Sequence, residues 1–147
     1  MRRQSRITGE RFGNDNQEPA MPERFLLFLG ALCGLAGVMA AAAAAHVNGD
    51  DNLKTAAQFL LFHAPLLAAA PAIVRSGAVH RHIALLALML VFIGVAMFSG
   101  QLAMRALKNA SLFSMAAPTG GTLLMLGWAL LGVAGLIPAR KPAPPSA

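Results

Sequence analysis

The chain has 147 residues, of which 56% are hydrophobic and 12% charged, against about 25% charged in ordinary soluble domains. Mean hydropathy is +0.59 and the formal net charge +6, which excludes a typical soluble domain. No basic stripe is interleaved with aromatic residues, which speaks against a nucleic-acid partner, and the single cysteine, Cys33, excludes an internal disulfide.

Residues 1–24 are polar, with Arg2, Arg3, Arg6, Arg11 and Arg24 set against Glu10, Asp15, Glu18 and Glu23. They lack apolar periodicity and read as a disordered cytoplasmic tail. Met21, directly before the first apolar run, also reads as a second start. Residues 25–45 are uncharged and long enough to cross a hydrocarbon core of about 30 Å as a helix. Gly30, Gly34, Gly37, Ala41 and Ala44 form one stripe of small residues, which lets another helix approach closely. Packing inside the chain's own bundle is the first reading of that stripe, and self-association the second. Arg24 followed by Ala40–Ala45 also fits a secretory signal, but the apolar run is longer than a usual signal core.

A polar turn over 46–54 leads into the second span, 55–74, which carries Gln58, His63, Pro65 and Pro71. Each proline lacks an N–H and frees a carbonyl, at Leu61 and Leu67, so a bend is predicted. The 75–82 turn is basic; His80 and His82 lie two apart, do not share a helix face, and predict a solvated loop instead of a metal site. The third span, 83–104, contains Gly94, Ser99, Gly100 and Gln101, and Arg105 and Lys108 close it. After a semi-apolar connection, Pro118 opens the fourth span, 119–137. Thr119 is its expected N-cap, Gly120, Gly121 and Gly127 are expected at close helix contacts, and Trp128 is assigned to packing. Residues 138–147 form a Pro-rich cytoplasmic tail.

Nine of the twelve Lys and Arg fall in the N-tail, the 75–82 turn and the C-tail. Cytoplasmic loops are enriched in these residues. The prediction is an all-α integral membrane four-helix antiparallel bundle, up-down-up-down, with both termini cytoplasmic.

At about 1.5 Å per residue, His63 lies near the midplane, level with Gly37, Ala96 and Gly127. Gln58, Gln101, Ser99, Thr119 and His46 lie towards the outer side. These six residues, His46, Gln58, His63, Ser99, Gln101 and Thr119, form a candidate outward-facing polar vestibule. No Asp, Glu, Lys or Arg lies within the four predicted spans, which argues against a conducting path or a proton-coupled exporter. No nucleophile–base set, paired carboxylates or phosphate loop can be assembled. Catalytic, cofactor-binding and metal-ligating residues are therefore not assigned. His63 reads first as a structural imidazole bonded to a backbone carbonyl or to Ser99, and second as a proton-responsive or ligand-binding group.

Four landmarks occur together: Ala45-His46; Gln58 followed by His63-Ala64; Gly94 with Phe98-Ser99-Gly100; and Pro118, Gly120-Gly121 with Gly127-Trp128. Over residues 24–137 the chain resembles the domain of unknown function 423 family of small four-span membrane proteins, and is similar to transmembrane protein 256. Departures include Ala41 and Ala44 where glycines are usual, Pro65 in place of a leucine, and Gln101 and Ala103 in place of a Ser-Leu-Tyr motif. The resemblance implies a multi-pass protein of the bacterial inner membrane with no established activity, and weakens the signal reading. The expectation is a non-enzymatic structural or accessory component, without a cofactor. Its partners would be the lipid bilayer and another membrane protein or a second copy. The alternative is a small-molecule or proton-responsive binder using the vestibule around His63.

Overall fold

A computed structural model describes residues 20–46 and 51–137, and among these every regular element is helical. The order is α1 (Met21–His46), α2 (Asp51–Ala68), α3 (Ala70–Arg75), α4 (Arg81–Lys108) and α5 (Ala116–Leu136). With α2 and α3 taken as one span, four helices are long and apolar enough to cross a membrane. The predicted tail segments 1–19 and 138–147 and turn residues 47–50 lie outside the described residues.

Helix α1 starts at Met21, four residues before the predicted boundary. Extending the small-residue stripe backward from Gly30 by steps of four and three reaches Leu26 and Glu23, both 1% exposed. A buried carboxylate therefore occupies the first turn of α1, in a stretch expected to belong to the disordered tail. Helix α2 likewise begins earlier than predicted, at Asp51. There a carboxylate suits the unpaired N–H groups and positive dipole end of a helix.

The two prolines act differently. Pro65 lies inside α2, and the helix continues through it, whereas Pro71 sits in the first turn of α3, just past a break at Ala69. The helix resumes at once, with Ile73 N–H bonded to Ala69 O at 2.9 Å. Proline is tolerated in a first turn because that N–H lacks a helical partner anyway. At the other connection, Asn109 ends α4 in the left-handed conformation at φ 52°, a backbone asparagine adopts more readily than most residues. Thr119 is not a cap. Helix α5 starts at Ala116 behind Met115, and Thr119 lies a turn inside, donating its N–H to Met115 O.

Glycines set the helix contacts. In lipid no hydrophobic force drives helices together, so close van der Waals packing must do so. A Cβ added at Gly30 would lie 2.5 Å from Ala68 N and 2.9 Å from Ala64 O, and one at Gly37 would lie 2.8 Å from Leu61 Cγ. Gly34 is looser, its nearest neighbour being Ala64 Cβ at 3.6 Å. Along α4 and α5, Gly94 and Gly120 are each closed by the other helix's backbone: a Cβ would meet Gly120 O at 2.8 Å and Gly94 O at 2.9 Å respectively. Gly127 packs on Val91 in the same manner, but Gly121 faces open space, correcting its assignment to packing. As residue numbers rise along α1, their contacts on α2 fall, and α4 and α5 pair in the same reversed order.

The interfaces run α1 to α2, α2 to α4 and α4 to α5, with lesser contacts of α1 and α2 to α3 and of α4 to α1 and α3. Among the described residues the backbone of α5 approaches neither that of α1 nor that of α2. The core consists of Leu26, Leu67, Leu88, Val91, Val95 and their neighbours. Phe28, Leu35, Met39, Phe62 and Met125 point outward, each more than half exposed. Such a surface is a liability in water and ordinary in lipid.

Candidate functional site

His63 is 5% exposed on α2, and both ring nitrogens have partners. Nδ1 lies 2.7 Å from the carbonyl of Phe59, one turn back. The indole Nε1–H of Trp128 on α5 donates to Nε2 at 3.2 Å. Indole N–H can only donate, so Nε2 must carry the lone pair and Nδ1 the proton. The imidazole held here is thus the neutral Nδ1–H tautomer. Because α2 and α5 do not touch through their backbones, this side-chain bond bridges two helices that do not pack backbone to backbone.

Rings surround the bridge. Phe59 stacks on His63 at a centroid distance of 5.9 Å, Phe62 meets it edge-on at 5.3 Å, and Trp128 is edge-on at 6.1 Å. Phe98 of α4 reaches Phe59 at 4.5 Å. The open space between α2 and α5 is a groove of about 550 Å³ lined by Phe59, His63, Phe98, Leu124, Met125 and Trp128. A second groove of about 320 Å³ lies between Gln58, Phe59, Phe62 and His63.

The other five vestibule residues are dispersed. Gln58 is exposed and shares only the smaller groove with His63. Gln101 is buried, and its Oε1 accepts the N–H of Leu112 at 2.7 Å, which pins the α4–α5 connection to α4. Ser99 is 1% exposed, and its hydroxyl has no hydrogen-bond partner among the described residues; His63 bonds a carbonyl instead. His46 and Thr119 are exposed. The structure draws together an aromatic cluster around one imidazole, and no hydrogen bond links the six polar groups to one another.

Two participants escaped the sequence reading. Trp128 was assigned to packing, yet it supplies the second hydrogen bond to His63. Glu23, assigned to the tail, sends Oε1 to Arg81 of α4 at 2.8 Å, while Oε2 accepts the N–H of Ala20 at 3.2 Å. The 3–4 spacing of Glu23, Leu26, Gly30, Cys33 and Gly37 was the available signal.

Among the described residues, no three His, Cys, Asp or Glu side chains gather as a metal site would require. The family model described as "Protein of unknown function (DUF423)" matches residues 39–121, which is more than half of the chain. The chain belongs to the DUF423 family. The match takes in His46, His63 and the Pro118–Gly121 segment. It leaves out Gly30, Gly37 and Trp128, so His63 of this DUF423 protein lies inside the matched region and its indole partner outside it. No solved structure matches the chain.

Proposed function

We propose that this DUF423 protein is a non-enzymatic structural or accessory component of the inner membrane. In this reading it is an up-down-up-down antiparallel bundle with both termini cytoplasmic, and its partners are lipid and another membrane protein or a second copy. The observation carrying the functional reading is how the buried polar side chains are used. His63 joins α2 to α5, Gln101 holds a connecting segment and Glu23 joins α1 to α4. Three of the buried polar side chains are thus engaged in holding helices and their connections together, and of the buried polar side chains Ser99 alone has no hydrogen-bond partner among the described residues. The reversed contact order along α1–α2 and α4–α5 supports the antiparallel arrangement, and the Lys and Arg distribution supports the orientation.

A second reading, a small-molecule or proton-responsive binder at His63, is favoured by the two grooves that share this imidazole. Thermal denaturation in mild detergent separates the two. The wild-type chain is melted with haem, a ubiquinone analogue or a lipophilic cation, and across pH 5 to 8, the range in which histidine charge ordinarily changes. The structural reading expects His63→Ala to lower the melting temperature and no added compound to raise that of the wild type. Stabilisation of the wild type by one compound, lost in His63→Ala, would sink it in favour of the binder.

A further inference from the structure

At the end of the molecule away from Gln101, the turn after α3 and the first residues of α4 enclose a cleft of about 420 Å³. Its wall carries two guanidinium groups, Arg75 and Arg81, and two imidazoles, His80 and His82, and no carboxylate. The His80 and His82 rings stand 6.1 Å apart, and His80 Nδ1 is buried without a hydrogen-bond partner among the described residues. The carboxylate facing this region from α1, Glu23, already holds Arg81 with one oxygen and the N–H of Ala20 with the other. Arg81 keeps further N–H donors, since a guanidinium has five. The side chain of Arg75 has no hydrogen bond or ion pair among the described residues. The start of α4 adds backbone N–H groups with no side-chain cap, a secondary contribution that favours negative charge.

These groups donate and are cationic or neutral, so the cleft selects an anion, and two guanidiniums repel a metal ion. Planar N–H forks match phosphate oxygens in pairs. Position narrows the source: the apolar run of α4 starts at Ile83, immediately after the cleft residues. The cleft therefore sits where a spanning helix leaves the hydrocarbon, at the depth of lipid headgroups. We propose that this cleft binds the phosphate of an anionic phospholipid headgroup. Arg75 and His82 make the exposed contacts, and Arg81 is oriented by Glu23. This site is separate from the His63 grooves and does not depend on the reading given for them.

The test uses the full chain, purified in mild detergent, with native mass spectrometry of retained phosphatidylglycerol and phosphatidylcholine. The wild type is expected to retain phosphatidylglycerol several-fold over phosphatidylcholine. Arg75→Gln should cut that preference about fivefold, as expected for one basic group at a membrane surface; Arg75→Gln with His82→Gln should remove most of it. Arg75→Lys should keep part of the preference. Lys108→Gln, which removes the same charge from the opposite end, should change nothing. Both cleft side chains are exposed, and the comparison is made on the monodisperse fraction, so the ratio of the two lipids reports the site. Equal losses in Lys108→Gln and Arg75→Gln, or no lipid preference in the wild type, overturn the proposal. Displacement of bound lipid by millimolar inorganic phosphate would make the free ion the ligand and overturn the lipid assignment; indifference to phosphate supports it.

Discussion

At the residue scale the informative pair is His63 and Trp128. Replacing the indole with a phenyl ring keeps most of the aromatic contact and removes only the N–H. The bare Nε2 acceptor then stays among rings without a partner, a buried unsatisfied group of the kind folded proteins avoid. Trp128→Phe is expected to cost about 0.5–1.5 kcal/mol, in the range found for polar contacts between membrane helices. Detergent denaturation of purified protein measures it. The double variant with His63→Ala should lose less than the sum of the single losses, because the two residues share the bond. A Trp128→Phe protein as stable as the wild type would show that the bond contributes nothing. The imidazole was legible from the sequence, as a lone histidine deep in an apolar span. Its partner was not, since a tryptophan in a membrane helix serves packing and interface anchoring equally well, and only the fold brings residue 128 to residue 63.

At the element scale, the glycines of α1 make distinct statements. A methyl group at Gly30 would collide with the α2 backbone, which cannot rotate away as a side chain can. Gly30→Ala should therefore force α1 and α2 apart and destabilise by about 1–3 kcal/mol, as overpacking does. Gly34→Ala finds 3.6 Å of clearance to Ala64 Cβ and should be neutral or slightly stabilising, since alanine is the better helix former. Comparing the two variants in one denaturation series checks both. A loss at Gly34 as large as that at Gly30 would mean the stripe packs against something beyond α2. The four spans could be read from apolar runs because lipid demands about twenty apolar residues in each. Their ends could not. Glu23 was hidden by its charge, which reads as tail until an arginine 58 positions later is known to face it, and Thr119 resembled a cap on local chemistry alone.

At the scale of the whole molecule, the helices form an open row more than a closed square. The expected bundle places all four around a common axis; here α1 and α5 stand at opposite sides of the α2–α4 contact. The ends are nonetheless tied. Glu23 joins the start of α1 to the start of α4, and His80 N–H donates to Ala134 O near the end of α5 at 2.9 Å. These ties gather the basic turn with the beginning and end of the spanning domain on one face, which the proposed orientation, resting on the positive-inside tendency, turns towards the cytoplasm. Reporter tags fused to each terminus should accordingly be reached only from the cytoplasm, and a tag after Lys108 only from the outside. An N-terminal tag accessible from outside would overturn the orientation.

The separation of the α1 and α5 backbones has a consequence for biosynthesis. A chain emerges from the ribosome N-terminus first, and everything Gly30 and Gly37 pack against is complete once Ala68 has been made. The first helical hairpin can thus close in the bilayer without waiting for the second, and α5 needs no place reserved beside α1. Glu23 is the exception within that hairpin. Its cation is residue 81, so the carboxylate must remain at the aqueous face until the second hairpin arrives to bury it. The order in which the helices are made is the order in which they can pack.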